Sequence, residues 1–427
     1  MMKKISLLLF FIISACFLNA QKTFIWCGTL IDGVSDDAKK EMTIVVEKDR
    51  IAAIDKGYSQ PASNEKIIDL KTKTVTPGWI DMHVHLETET RKGNVADRFI
   101  LNPADIAFES LRYANATLMA GFTTVRDLGG TGVNISLRNA INKGLVTGPR
   151  IYTAGKAIAT TGGHADPTNG YRKDLMGDPG PKEGVINGPE EAYQAVRQRY
   201  KDGADLIKIT ATGGVLSQAK DGANAQFTEE EIKAIVAAAK DYGFKVAAHG
   251  HGAEGIKRAI RGGVSSIEHG TFMDEEGMKL MKQFGTWYVP TITAGKSTAD
   301  SAKIPGYYTE IVTPKALATG PQIQKTFAKA YKEGIRIAFG TDAGVFKHGL
   351  NWLEFTYMIE AGMKPMDAIK AATINAAELL GEKDKLGSIE AGKFADLVAV
   401  DGDPLKDPNV FGKVIFVMKA GIVYKQK

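Results

Sequence analysis

The chain has 427 residues, of which 44% are hydrophobic and 24% are charged, a composition typical of a folded globular protein. A chain of this length can bury a large apolar core, which excludes the small scaffolds that depend on disulfide bonds. The formal net charge of +5 includes no basic run, so the charge does not favour nucleic acid as a partner.

The first 20 residues predict a secretory signal peptide. Lys3 and Lys4 precede the apolar run ISLLLFFIISACFL, and the triplet ending at Ala20 approximates a small-x-small cleavage site. The run is too short to span a bilayer comfortably, which takes about 20 apolar residues. We therefore predict cleavage after Ala20 and export to the periplasm or the medium. No later segment is apolar enough to predict a membrane span.

Lipoprotein processing at Cys16 is an alternative to cleavage after Ala20, because ISAC resembles a bacterial lipobox. The apolar residues Phe17 and Leu18 that follow Cys16 disfavour it. After cleavage behind Ala20 the chain keeps one cysteine, Cys27. A single cysteine excludes both an internal disulfide and a cysteine-based zinc site.

Residues 21–77 and 386–427 have the pattern of short β-strands. Apolar and polar residues alternate in segments such as TFIWCGTLIDG and VIFVMKAGIVYK, and polar turns separate them. This period of two is typical of antiparallel strands. We predict that the two ends of the chain pair into one small β-sandwich.

Residues 78–385 repeat a unit of helix, glycine and short apolar strand. Eight strands are predicted: WIDM (79–82), FTTV (122–125), RIYTA (150–154), DLIKI (205–209), FKVAA (244–248), VSSI (264–267), WYVPTI (287–292) and IRIAF (335–339). Strands that alternate with helices predict right-handed crossovers and a parallel sheet. Eight such units favour a closed (β/α)8 TIM barrel, of the α/β class, over an open doubly wound sheet.

The helix within TEEEIKAIVAAAKDYG shows how clearly these units can be recognised. Thr228 and Glu231 have the spacing of a capping box, and Ile232 and Ile235 begin an apolar stripe. Gly243 is expected to end the helix in a left-handed conformation.

Polar residues follow several predicted strands directly, at the end of the barrel where active sites are built. They are His83 and His85 after strand 1, His164 in the loop after strand 3, Lys208 in strand 4, His249 after strand 5, His269 after strand 6 and Asp342 after strand 8. Imidazole and carboxylate groups are the usual ligands of Zn²⁺ and similar ions. We therefore predict a metal site at this rim.

Residues i and i+2 of a strand point the same way, so His83 and His85 can hold one ion together. His249 and His269, from neighbouring strands, can hold a second. Each residue also has a structural interpretation: a strand-end histidine can simply be hydrogen bonded, and Asp342 can cap the following helix. Their coincidence at one rim favours the metal site.

Lys208 is the unexpected member of this set. It alternates with Leu206 and Thr210, so we expect it to face the barrel interior. Burial lowers the pKa of a lysine and leaves a neutral, nucleophilic amine. The alternative is an ion pair between Lys208 and an acid such as Asp342.

An ordered set of motifs resembles the metal-dependent amidohydrolase superfamily. The motifs are TVTPGWIDMHVHLE, GFTTVRDLGG, IKITATGG, AAHGHG, SIEHG, GTDAG, AATINAAELLG and GKFADLVAVDGDP. They run through nearly the whole chain. Members with a lysine on strand 4 resemble two-metal enzymes in which CO₂ carboxylates that lysine. The subgroup that the chain resembles most is the secreted Xaa-Pro dipeptidase-like and carboxypeptidase-like amidohydrolases.

The resemblance implies two divalent ions, with Zn²⁺ as the default for nitrogen and oxygen ligands. The implied ligands are His83, His85 and Asp342 on one ion, His249 and His269 on the other, and a carbamate formed from Lys208 and CO₂ on both. His164 resembles a histidine that contacts substrate, and bracing of its loop is an equal alternative. His251 is expected to support the ligands or the fold.

The reaction implied is hydrolysis of an amide bond in a peptide or an N-acyl amino acid. A hydroxide shared by the two ions would attack the carbonyl carbon, Asp342 would carry its proton to the leaving nitrogen, and His164 would stabilise the oxyanion. Alternatives are a cyclic-amide hydrolase or deaminase, a lactonase, or a binding protein without activity. The expected partner is a dipeptide or another small molecule, bound by a monomer or a homo-oligomer. Lys296, Lys303 and Lys347 are candidates to attract a substrate carboxylate.

Overall fold

The structure, a computed structural model, describes residues 21–62, 64–220 and 222–427. The predicted signal peptide and the alternative processing site lie outside these residues. The strands are Lys22–Leu30 (β1), Lys39–Glu47 (β2), Arg50–Lys56 (β3), Lys66–Pro77 (β4), Trp79–Val84 (β5), Phe122–Asp127 (β6), Arg150–Thr153 (β7), Ala159–Thr160 (β8), Val185–Ile186 (β9), Ile207–Thr210 (β10), Val246–Gly250 (β11), Ser266–His269 (β12), Trp287–Val289 (β13), Leu397–Val400 (β14), Val414–Lys419 (β15) and Ile422–Gln426 (β16).

Helices lie between most of the central strands. The α-helices are Asp97–Ile100 (α1), Pro103–Met119 (α2), Val133–Asn142 (α3), Lys173–Met176 (α4), Pro189–Asp202 (α5), Glu229–Asp241 (α6), Ala253–Arg261 (α7), Glu275–Phe284 (α8), Ile292–Ala302 (α9), Val312–Lys332 (α10), Leu353–Glu360 (α11), Pro365–Lys370 (α12) and Ala376–Leu380 (α13). A π-helical turn covers Ala371–Asn375, and 3₁₀ turns cover Asn94–Ala96 and Pro408–Gly412. In the described part of the chain, no helix combines the length and apolarity that crossing a membrane requires.

The central strands form the predicted parallel barrel. β5, β6 and β7 pair in parallel, as do β10, β11, β12 and β13. A bridge between Ile158 and Ile209 joins the two groups on one side. On the other side Tyr288 bridges to Ile337 and Val84 bridges to Ala343, which closes the ring.

Seven of the eight predicted barrel strands are regular strands, displaced by up to two residues at most ends. The eighth, predicted at 335–339, is not a regular strand: within it Ile337 forms an isolated bridge to Tyr288. The amide of Ala338 donates to the carbonyl of Tyr288, and the amide of Met82 donates to the carbonyl of Phe339. Directly after this segment, Gly340 packs against Val289 and His83 with no room for a side chain.

The two ends of the chain form one seven-stranded sheet in the order β16-β15-β14-β4-β1-β2-β3. Strand β14, near the C-terminus, lies antiparallel to β4, near the N-terminus, as the sequence predicted. The sheet folds back on itself: the amide of Ile51 donates to the carbonyl of Lys393, just before β14. Both halves thus enclose one apolar core that includes Ile25, Cys27 and Phe416.

Trp79 joins the sandwich to the barrel. It begins β5 two residues after β4 ends, is fully buried, and packs edge-on against Phe122, Phe355 and Phe411 with ring centroids 5.1–5.7 Å apart. Its indole nitrogen donates a hydrogen bond to Thr76 Oγ1 at 3.0 Å. The domain boundaries at 21–77, 78–385 and 386–427 stay predictions, and this continuous packing crosses both of the internal ones.

The capping prediction for α6 is confirmed. The Thr228 side chain accepts a hydrogen bond from the amide of Glu231, and the Glu231 carboxylate accepts one from the amide of Thr228. Gly243 has φ = 69°, the left-handed conformation expected after the helix.

Trp79→Ala should lower the free energy of unfolding by about 3–5 kcal/mol, because it removes a buried indole from an aromatic cluster that cannot collapse around the cavity. The midpoint of urea unfolding measures the loss. Phe108→Ala is the control, because the Phe108 side chain is 72% exposed and should move the midpoint little. Equal midpoints for the two variants would contradict the assigned role of Trp79.

Candidate functional site

A cavity of about 530 Å³ opens at the carboxyl ends of the barrel strands. Its lining contains every residue that the sequence analysis placed at the rim. These are His83, His85, His164, Lys208, His249, His269 and Asp342. His251 lines the same cavity. His348 lies outside it, where its ring stacks on Tyr113 and its Nε2 lies 2.9 Å from the carbonyl oxygen of Thr88.

His83 and His85 end strand β5 and approach Asp342. Asp342 Oδ1 lies 3.3 Å from His85 Nε2 and 3.6 Å from His83 Nε2. The other ring nitrogens are already engaged: His85 Nδ1 lies 2.8 Å from the carbonyl oxygen of Gly129, and His83 Nδ1 lies 3.0 Å from Glu268 Oε2. Each imidazole therefore keeps its Nε2 for the space beside Asp342.

His249 and His269 come from the adjacent strands β11 and β12, with ring centroids 4.7 Å apart. His249 Nε2 lies 2.9 Å from the carbonyl oxygen of Gly213, which leaves its Nδ1 available. His269 Nδ1 lies 2.7 Å from Thr291 Oγ1, which leaves its Nε2 available. His83 is also near, with its ring centroid 4.9 Å from that of His269.

Three non-glycine residues at this rim have left-handed backbone conformations: φ is 70° at His269, 54° at Thr291 and 59° at Asp342. Each costs about 1–3 kcal/mol, and such residues cluster at functional sites. The conformation turns each chain sharply as it leaves the barrel. It places His269 and Asp342 side chains in the cavity and the Thr291 hydroxyl against His269.

Lys208 is buried in β10, with its Nζ 3.3 Å from His83 Nε2. Burial lowers the pKa of Lys208 to about 8, so about a tenth of this amine is neutral at pH 7, far more than for an exposed lysine. Within the described residues Lys208 makes no ion pair with a carboxylate, and the negative charge of Asp342 acts on it from a greater distance. Asp342 does not cap a helix either, because α11 begins only at Leu353.

Burial also keeps most of the imidazoles neutral. The exception is His85: burial works against its charged form, but the hydrogen bond to Asp342 and the charge of that carboxylate raise the pKa of His85 above its usual value. The pKa values of His83, His249 and His269 are lowered well below 6.5, first by desolvation and then by neighbouring positive charges. Burial lowers the pKa of His164 to about 3 and that of His251 to about 4. Neutral imidazole is the form that binds metal ions.

The buried donor set fits divalent cations. His83, His269 and Asp342 offer ligand atoms that all lie within 4.8 Å of one another. Asp342 Oδ1, His164 Nδ1 and Thr210 Oγ1 are buried at the cavity yet have no hydrogen-bond partner among the described residues. Buried polar atoms without a partner are costly, so such a group indicates a bound ion or ligand.

The two histidines whose roles were left open are both in the cavity. His164 packs against His249 with ring centroids 4.5 Å apart, and its amide donates to Gln226 Oε1. His251 lies 5.0 Å from His269, ring to ring, and its Nδ1 lies 2.8 Å from Thr271 Oγ1. His251 thus supports the ring of a candidate ligand.

Several residues of the site were missed from the sequence. Glu268 lies beneath His83, although it precedes His269 and strand alternation predicts that the two point to opposite faces. The left-handed backbone of His269 breaks that alternation. Lys156 and Glu183 line the cavity, whereas Lys296 and Lys303 are paired with Glu360 and Asp300.

Comparisons with known proteins show which family the chain belongs to. Residues 74–423 match the model of the amidohydrolase family. A crystal structure of a Xaa-Pro dipeptidase with methionine bound in its active site is 56% identical and superposes with a TM-score of 0.93, covering 95% of this chain and 100% of that one.

Two further relatives are more distant. Ochratoxinase from Aspergillus niger is 32% identical over 429 residues, covering 95% of this chain and 87% of that protein. A prolidase crystallised with N-methylphosphonate-L-proline is 31% identical, with a TM-score of 0.86 and coverage of 95% and 100%. The chain therefore belongs to the amidohydrolase family and is a hydrolase that acts on amide bonds.

Proposed function

We propose that this protein hydrolyses the amide bond of dipeptides or N-acyl amino acids at a centre of two divalent ions. The observation that carries the proposal is the convergence of four histidines (His83, His85, His249 and His269) with Lys208 and Asp342 in one cavity. The names of the relatives agree with it, since two of the structures are of a Xaa-Pro dipeptidase and a prolidase. We further propose that the chain works after export, as its N-terminal sequence predicts.

Two groups of residues would hold the ions, with Zn²⁺ as the expected metal. They are His83, His85 and Asp342 for one ion, His249 and His269 for the other, and Lys208 for both. Lys208 would do so as a carbamate: its neutral amine forms an N–C bond to CO₂ and releases one proton. Bound divalent ions supply Lewis acidity, which polarises a carbonyl group and makes water nucleophilic near neutral pH.

The chain's own residues would move the proton and stabilise charge. Asp342 Oδ1, which has no hydrogen-bond partner among the described residues, would accept the proton of the attacking water and deliver it to the leaving nitrogen. A neutral His164 would donate a hydrogen bond to the oxygen that becomes negative in the transition state. The pKa of His164, lowered to about 3, keeps it in that neutral form at working pH.

The walls of the cavity fit a small amphoteric substrate. Leu128, Val215 and Ile323 provide apolar surface, while Lys156 and Glu183 provide one charge of each sign. A dipeptide carries a carboxylate and an amine at its two ends, so the charged pair can complement both. Methionine in the active site of the 56% identical dipeptidase is a ligand of that size and kind.

Protein purified without chelators should contain about two divalent ions per chain and hydrolyse members of a panel of Xaa-Pro and other dipeptides. Chelation should abolish turnover, and Zn²⁺ should restore it. Ring amides and esters in the same panel test the alternatives. Turnover of ring amides or esters with no cleavage of any dipeptide or N-acyl amino acid would refute the proposed substrate class.

Lys208→Ala should lower the metal content from about two ions per chain to one or none, because the bridging group is lost. Lys419→Ala is a matched control: burial lowers the pKa of Lys419 to about 8 as well, but Lys419 hydrogen bonds to Gly148 outside the cavity. Elemental analysis of both variants gives the answer. Two ions retained in Lys208→Ala would show that Lys208 bridges nothing.

Asp342→Asn should keep the fold and most of the metal while kcat falls by about 10²–10⁴-fold, because the amide cannot accept the proton. Asp300→Asn is the control, since Asp300 is an exposed carboxylate on α9 that pairs with Lys303. Steady-state kinetics on a cleaved dipeptide measure the effect. A near-normal kcat for Asp342→Asn would reject its role in proton transfer.

A further inference from the structure

Beneath the candidate metal centre lies a buried ion pair. The Glu268 side chain on β12 is fully buried, and that of Arg126 on β6 is 3% exposed. Arg126 Nη2 donates to Glu268 Oε1 at 2.8 Å. Ser266 completes the group, because its hydroxyl donates to Glu268 Oε1 at 2.5 Å and accepts a hydrogen bond from Arg126 Nη1 at 3.1 Å.

The second carboxylate oxygen of Glu268 contacts His83. Oε2 lies 3.0 Å from His83 Nδ1, and an ionised carboxylate can only accept a hydrogen bond. The proton of the His83 ring must therefore sit on Nδ1. The lone pair then sits on Nε2, the atom that lies 3.6 Å from Asp342 Oδ1 and 3.3 Å from Lys208 Nζ.

Arg126 also holds the strand that carries His83. Its Nε donates to the carbonyl oxygen of Met82 at 2.6 Å, one residue before His83. The guanidinium thus connects the backbone of β5 to the carboxylate that orients the His83 ring. It also supplies the opposite charge that a buried carboxylate requires.

His83 differs in this from the other candidate ligands. The outer nitrogens of His85 and His249 meet carbonyl oxygens of Gly129 and Gly213, and that of His269 meets the Thr291 hydroxyl. All three partners are uncharged. A carboxylate partner makes an imidazole a stronger ligand and fixes its tautomer, and loss of such partners typically costs 10–100-fold in metal affinity.

We propose that Glu268, held by Arg126 and Ser266, is a positioning residue that fixes the Nδ1-protonated tautomer of His83 and thereby sets the affinity of the first metal position. The metal part rests on the proposed function. The tautomer part rests only on the contacts beneath His83.

The first test needs no variant of Glu268. In metal-free protein labelled with ¹⁵N-histidine, multiple-bond ¹H–¹⁵N spectra show which ring nitrogen carries the proton. The His83 signals are assigned by their loss in His83→Gln. We expect the proton on Nδ1, and a proton on Nε2 would overturn the inference.

The second test is Glu268→Gln, which keeps the side-chain volume but removes the charge. We expect the affinity for Zn²⁺, measured by competition with a chromophoric chelator, to fall about 10–100-fold at one of the two positions. Asp396→Asn is the matched control. This variant breaks another largely buried ion pair, between Asp396 and Arg150 at 2.6 Å. Arg150 is the first residue of β7, so the pair lies at the end of the barrel away from the candidate metal centre, and the variant should leave the Zn²⁺ affinity unchanged.

The outcomes separate this inference from the proposed function. Wild-type Zn²⁺ affinity in Glu268→Gln, alongside two ions in the wild-type chain, would overturn the positioning role and leave the proposed function intact. An equal loss in Glu268→Gln and Asp396→Asn would also overturn it, because instability would then be the cause. Failure of the wild-type chain to take up Zn²⁺ would overturn the proposed function and the role that depends on it.

Discussion

The parallel direction of the barrel strands is the constraint on which the site depends. In a closed parallel ring every strand ends on the same side, so side chains far apart in sequence meet at one rim. In the sequence, most of the barrel lies between His83 and Asp342. The bridge between Val84 and Ala343 nevertheless brings His83 Nε2 within 3.6 Å of Asp342 Oδ1. A change in the order or direction of the strands would separate these candidate ligands without altering any of them.

Burial sets the protonation states of the side chains at this rim. Imidazole and amine groups in a dry cavity lose the solvation that stabilises their charged forms. This lowers the pKa values of His83, His249, His269 and Lys208, whereas the carboxylate of Asp342 raises that of His85. In the metal-free protein, several neutral bases close together in a cavity of low dielectric leave lone pairs without partners, which is unfavourable. A bound cation would accept those lone pairs. The strained backbones of His269, Thr291 and Asp342 also indicate a functional site, because such strain persists only where the surrounding structure holds it in place.

A buried ion pair also lies below the rim, inside the barrel. The Arg126–Glu268 pair is wholly enclosed by the barrel, where an unpaired charge would be strongly unfavourable. Its contact with His83 joins the packing of the barrel to the orientation of a candidate ligand. The aromatic contacts of Trp79 likewise connect a strand to elements distant in sequence. They attach β5 to Phe355 of the barrel and to Phe411 near the C-terminus.

The amino-acid sequence alone determined the fold class, seven of the eight barrel strands, the capping of α6 and the seven polar rim residues, from His83 to Asp342, that line the cavity. These follow from local signals: periodicity, capping spacing, and polar residues placed directly after apolar strands. Only the tertiary structure decided which nitrogen of each histidine is free, that Glu268 lies under His83, and that Lys156 lines the cavity while Lys296 does not. The reason is physical: side-chain orientation at a strand end depends on the local backbone turn and on partners from other strands, and neither is encoded in the spacing of residues along the chain.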